Sequence, residues 1–186
     1  MALTALDPKT ALIVVDLQKG IVAYPTAHPI GEVVSRSRSL ADAFRARGLP
    51  VALVNVAGSA PGRTEHPRNN QPYPAGWTDL IPELNQQPGD IVVTKRTWGA
   101  FASTDLEDQL RARGVTQVVI VGVATGTGVE ATARQAYEQG FNVTLAIDAM
   151  TDTRPEAHDY SIAKVFPRLG ETGATQEIID LLERSA

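Results

Sequence analysis

Apolar residues along this chain fall into two kinds of run, and the two kinds alternate. Short continuous runs at residues 11–15, 50–56, 91–94, 118–121 and 142–147 predict strands buried on both faces. Between them, residues 30–47 carry apolar side chains at helical spacing (Val33, Val34, Leu40, Ala43, Phe44). Gly48 follows, suited to the left-handed turn that ends a helix. Thr104 reads as the N-cap of a helix that runs to Arg113 and stops at Gly114. Residues 130–137 and 155–166 predict two further helices, and 178–182 a short C-terminal one. Strands separated by helices imply an α/β fold of three layers. The expected form is a doubly wound, mostly parallel sheet with helices on both faces and right-handed crossovers, one domain over residues 1–186.

In such a sheet, ligands lie outside the carboxyl ends of the strands. Three segments reach that edge directly from a strand: Asp16, Lys95, and the turn 123–128 built only of Val, Ala, Thr and Gly. An acid, a cation and an amide-rich strand-to-helix turn are thereby expected together. Such a turn aims backbone N–H groups and the positive end of a helix at one point. An enzyme would place a nucleophile there, but position 128 is Gly and the chain contains no cysteine. Residues 57–76 are the one long irregular stretch, rich in Pro, Gly and Asn, read as a lid or a subunit contact.

Composition narrows the function classes. A net charge of −4 argues against a nucleic-acid or anionic-membrane surface. No apolar run is long enough for a transmembrane helix, and no signal peptide is read at the start, so the cytoplasm is the default location. The absence of cysteine removes disulfides, thiolate metal sites and a thiol nucleophile. Gly126-x-Gly128-x-x-Ala131 with Asp148 beyond it has dinucleotide-binding spacing. Against that reading, residues 123–125 separate it from its strand, and Glu130 would set a carboxylate near a pyrophosphate.

Three blocks carry a family resemblance: ALIVVDLQKGI (11–21), VVTKRTWGAFASTDL (92–106) and VGVATGTGVEATARQAYEQGFNVTLAIDAMTD (121–152), with a weaker fourth over 158–179. In that order they make the chain resemble the isochorismatase-like hydrolases, the family that includes nicotinamidases and N-carbamoylsarcosine amidohydrolase. The resemblance implies that Asp16 is the catalytic aspartate and Lys95 the catalytic lysine. It implies a cis peptide at Val123–Ala124, which would turn the amides of Thr127 and Gly128 toward a shared oxyanion position. Gly128 falls where amidohydrolase members carry their nucleophilic cysteine. Isochorismatases proper have glycine there and cleave a vinyl ether, which needs an acid and a charge but no thiol. The hydroxyls of Thr125 and Thr127 are poor substitutes, because nothing nearby in the sequence is placed to activate them.

The resemblance therefore implies hydrolysis of a small molecule by non-covalent acid/base chemistry. The alternative is a binding protein that lost turnover together with the thiol. Ala124, Thr127 and Gly128 would hold a substrate oxygen. Trp98 and Phe101 would line an apolar pocket, although Phe101 reads equally as core. Gln18 would orient the acid or bind substrate, or else be an exposed turn residue. Thr127 and Glu130 have the spacing of a capping box, and Arg134 reads as a surface or interface residue. The acid at Asp16, beside a lysine, is expected to stay ionised until substrate or a third group raises its proton affinity. His28, His66 and His158 show no ligand spacing, so no metal and no cofactor are expected. The family and the 57–76 loop imply a homo-oligomer.

Overall fold

A computed structural model describes residues 3–66 and 71–184. Strand β1 (Thr10–Val15) has every residue buried and lies in the interior of a six-stranded, wholly parallel sheet. Its neighbours are β2 (Val51–Val56) and β4 (Gln117–Val123); β3 (Ile91–Lys95) lies beyond β2, and β5 (Asn142–Thr151) and β6 (Glu171–Gly173) lie beyond β4. The order is therefore β3-β2-β1-β4-β5-β6. Chain direction reverses its progress across the sheet at β1, which creates the crevice where doubly wound folds bind ligands.

Strand alternation divides the core in two. Ala11, Ile13 and Val15 pack with α3 (Leu106–Ala112) and α4 (Glu130–Glu138) on one face. Leu12 and Val14 pack with α2 (Ile30–Ala46) and α6 (Thr175–Arg184) on the other. A single four-residue turn of helix, α1 (Lys19–Val22), follows β1, and α5 (Pro155–Tyr160) follows β5. Gly48 and Gly114 both adopt positive φ after their helices, as expected.

Several boundaries differ from the expectation. Strand β5 continues to Thr151 and carries the chain four residues closer to the ligand edge. Strand β6 was not predicted, since Glu171–Gly173 is too short and polar to show an apolar run. The expected helix 155–166 is α5 followed by a π-helical turn (Ser161–Val165) and a 3-10 turn (Phe166–Arg168), where Pro167 cannot supply the next amide. The C-terminal helix is twice as long as expected because its outer face is polar. Edge strand β3 is open on one face, with Val92 exposed.

Close packing at two glycines shapes the ligand edge. Gly122 has φ +114°, and a Cβ there would lie 2.1 Å from the Val15 carbonyl oxygen. That approach keeps β4 in register with β1 up to Val15, while the β4–β5 pairing shifts register between Ile120 and Gly122. At Gly20 a Cβ would lie 2.1 Å from the Trp77 ring, so the end of the long loop lies flat on α1. Residues 67–70 of that loop lie outside the described residues.

Candidate active site

Lys95 is the last residue of β3, and period-two alternation puts it on the same side as Ile91 and Val93. The same rule turns Arg96 outward, where its guanidinium donates to the Ala57 carbonyl. Lys95 is 1% exposed and donates from Nζ to Asp16 Oδ2 at 2.7 Å and to the Thr97 carbonyl at 3.2 Å. Asp16 follows β1 with φ +54°, a left-handed conformation unusual outside glycine and least costly for Asp and Asn. Its backbone N–H still donates to the Val54 carbonyl, so the reversal occurs at the last residue held by the sheet.

The Asp16 carboxyl is only half satisfied. Oδ2 binds Lys95, whereas Oδ1 is buried with no hydrogen-bond partner. Burial pushes the carboxyl up to about 6, against the attraction and hydrogen bond of Lys95, which pull it down. Burial thereby supplies part of the rise that a general acid needs, while the ionised form still predominates at pH 7.

The Val123–Ala124 peptide is cis. After it come a π-helical turn (Thr125–Val129) and α4. Gly128 is buried, and a Cβ there would lie 3.2 Å from Asp16 Oδ2, from the Val123 carbonyl oxygen and from Val15 Cγ1. Glycine thus sits directly against the acid. The Thr127 N–H donates to the Ala124 carbonyl, so this amide is already engaged and is not a free oxyanion donor. The Gly126 N–H donates to Asp152 Oδ2 at 2.8 Å. The same engagement fills the first amide that a pyrophosphate would need.

No capping box forms at this helix. Glu130 instead accepts from Arg134 Nε at 2.9 Å and from Ser161 Oγ at 2.6 Å, and Thr127 Oγ1 lies 3.5 Å from the Ala124 carbonyl. The π turn explains the failure: its wider winding changes the three-residue spacing that the motif requires. Thr125 does have a basic neighbour, contrary to expectation, since its hydroxyl lies 2.8 Å from His158 Nδ1. Thr125 is nevertheless fully buried behind the cleft wall. The His158 ring lies 4.5 Å from that of His28, and His28 Nδ1 is 3.0 Å from Thr151 Oγ1. Desolvation, then the neighbouring His28, lowers the proton affinity of His158 below the ordinary histidine value. Among the described residues, no group of three or more His, Asp or Glu side chains is placed to hold a metal ion.

Asp16, Lys95, Trp98, Ala124, Thr127 and Gly128 all border one cleft of about 340 Å³. Gln18 and Phe101 do not. The Gln18 amide is buried, donating to the Val56 and Trp77 carbonyls and accepting from the Val56 N–H, so it ties the end of β2 to the loop. Phe101 is core, stacked 5.8 Å from Phe141. Sequence reasoning did not single out Tyr24, Tyr73, Asp152 and Arg154, which also border the cleft. Asp152 and Arg154 follow β5 directly, and a correct end for that strand would have brought them forward.

The isochorismatase domain description matches residues 10–177. The chain is 40% identical to the uncharacterized isochorismatase family protein YwoC of Bacillus subtilis, over 92% of this chain and 93% of that protein. It is 41% identical to the corresponding YecD protein of Escherichia coli, over 93% and 96%. A solved isochorismatase family protein from Burkholderia thailandensis superimposes with a TM-score of 0.92 at 40% identity, covering 96% of this chain and 98% of that one. The chain belongs to the isochorismatase family, and its function is of the hydrolase type. Among the described residues, no helix is long and apolar enough to cross a membrane.

Proposed function

We propose that the chain hydrolyses a small molecule without a covalent intermediate, using Asp16 as a general acid and Gly128 in the place of a thiol nucleophile. One observation carries this reading. A buried carboxyl has one oxygen on Lys95, the other oxygen unpartnered, and a side-chain-free residue beside it. A proton held at about 6 is available for transfer near neutral pH.

A vinyl ether suits these groups. Asp16 passes its proton to the enol carbon, and the cation that forms is stabilised by the ether oxygen. Water adds to that cation and returns a proton to Asp16. The resulting hemiketal collapses to a carbonyl compound and an alcohol, so no atom is left on the protein. Lys95 holds the carboxylate in position and stabilises it once the proton has left. Gly128 borders the cleft beside the acid and places no side chain between the two.

The test is a screen of vinyl ethers, amides and carbamates with the purified protein, read by product mass spectrometry. Vinyl ethers are expected to turn over and amides to persist. Asp16→Asn is expected to reduce that turnover by about 10²-fold or more, the usual worth of a positioned acid. Unchanged turnover in Asp16→Asn and Lys95→Ala would remove both residues from the chemistry. Binding without turnover across the screen would favour a non-catalytic relative.

A further inference from the structure

Water must be held against the cation in a non-covalent hydrolysis, and hydroxyls suit that task because each can both donate and accept. Most hydroxyls among the described residues of the cleft are spent or stand at its mouth. Thr151 is fully buried; its Oγ1 accepts the His28 N–H at 3.2 Å and lies 3.0 Å from His28 Nδ1. Thr26 donates to the His28 carbonyl at 2.7 Å. Thr153 is exposed, as are the rings of Tyr24 (54%) and Tyr73 (45%), so bulk water competes for all of them.

Thr127 is the exception. It is half-buried, borders the cleft, and immediately precedes Gly128, the residue that lies against the Asp16 carboxyl. Its backbone N–H is spent on the Ala124 carbonyl, so what it offers the cleft is its hydroxyl. That hydroxyl lies 3.5 Å from the same carbonyl, beyond the range of a good hydrogen bond. The carbonyl already accepts the N–H groups of Thr127 and Val129, each at 3.1 Å, which fill its two lone-pair directions. The flanking backbone is fixed on both sides: Gly126 donates to Asp152 Oδ2 at 2.8 Å, and the Gly128 carbonyl accepts the Thr132 hydroxyl at 2.7 Å. A held hydroxyl with open bonding capacity and a buried carboxyl thus flank a residue that has no side chain.

We propose that Thr127 is a catalytic residue whose hydroxyl holds the attacking water over Gly128, between itself and the Asp16 carboxylate. The inference rests on the vinyl ether reading above and concerns its second step. Once Asp16 has protonated the enol carbon, the water donates one hydrogen to the carboxylate and the other to Thr127 Oγ1. Its free lone pair faces the neighbouring carbon, the one bonded to the ether oxygen. The new O–C bond forms there as the π pair returns to the ether oxygen, and the water's proton passes to Asp16. Thr127 neither gains nor loses a proton, so its contribution is orientation.

The test compares wild type, Thr127→Val and Thr127→Ser in deuterium oxide, with phenyl vinyl ether or the vinyl ether of the screen that turns over fastest. Valine keeps the shape of threonine and removes only the hydroxyl. Hydrolysis by Thr127→Val is expected to slow about tenfold with KM little changed, the worth of one hydrogen bond, and Thr127→Ser to stay near wild type. Protonation by Asp16 is untouched, so an uncaptured cation reverts: vinyl ether recovered from Thr127→Val should contain deuterium at the enol carbon, and that from wild type little. Wild-type crystals should show a water within hydrogen-bond distance of Thr127 Oγ1 and an Asp16 carboxyl oxygen, and Thr127→Val crystals should lack it. Undiminished hydrolysis by Thr127→Val overturns the proposal. So does slower hydrolysis without deuterium exchange, as a purely structural role would give, or a wild-type crystal with no water at that position. Each of these outcomes leaves the role of Asp16 standing, whereas wild type inactive toward every vinyl ether screened overturns the parent reading and this step together.

Discussion

Strand β3 has an ion pair at each end, the first half-buried and the second buried, and the two are built differently. Before its first residue, Asp90 takes Arg45 with both oxygens, at 2.7 and 3.1 Å, and also accepts the Gln87 N–H. Arg45 uses its remaining donors on the Leu84 carbonyl and on Asp42. At its last residue, Lys95 meets Asp16 through one oxygen and leaves the other bare. The first pair has nothing left to bind, so it joins α2 to the loop before β3. The second pair has spare capacity, sits beside a cleft, and belongs to a residue in an unusual backbone conformation. Incomplete satisfaction of a buried group marks a place where something else is meant to bind or react.

The largest expected effect that separates the two ends is on catalysis. Asp16→Asn should lower turnover of an identified substrate by about 10²- to 10⁴-fold, the range for loss of a general acid. Asp90→Asn should leave that turnover near wild type, as read by steady-state kinetics. In stability the order reverses. Asp90→Asn removes one of the two carboxylates on Arg45, which keeps Asp42 and the Leu84 carbonyl, and should cost about 1 kcal/mol, seen as a lower urea midpoint. The double change Asp16→Asn with Lys95→Met removes both charges from the interior, and should be neutral or stabilising by about 1 kcal/mol or more.

Titration offers a finer separation. Asp16 holds its proton up to about 6 in the folded protein and to 3.8 as an ordinary side chain. Between those values the folded state binds more protons than the unfolded one, so this group's contribution is full at low pH and is lost as pH rises through about 6. Unfolding curves from pH 4 to pH 7 should show that decline in wild type and not in Asp16→Asn. Activity that needs the protonated acid should fall over the upper part of the same window. The smallest effect is expected at Gly128. Gly128→Cys has 3.2 Å to its nearest neighbours, so it should fold at a cost of about 1 kcal/mol and react with iodoacetamide, whereas wild type does not.

The reach of sequence patterning is visible in Lys95 and Gln18. Period two along β3 makes residue 95 inward and residue 96 outward, so the buried lysine was legible from Ile91 and Val93 alone. Gln18 gave no comparable signal. Its three partners are at Val56, brought alongside by the β1–β2 pairing, and at Trp77, brought by the return of the loop onto α1. Asp152 was hidden for a related reason: its partner Gly126 is 26 residues away, across the β4–β5 crossover. Thr127 and Glu130 erred in the other direction, since correct spacing for a cap failed once the turn wound as a π helix.

By itself, the sequence determined the alternation of strands and helices, the edge at which Asp16, Lys95 and the glycine turn meet, and the lack of any thiol. Those follow from local periodicity and from chemistry written into single residues. Tertiary structure decided what the residues do to one another. It buried Asp16 enough to raise its proton affinity despite Lys95, left Oδ1 without a partner, closed the Thr127 amide, and set Arg154 and three aromatics around the mouth. Desolvation and hydrogen-bond competition depend on neighbours distant in the chain, and only the assembled sheet supplies them.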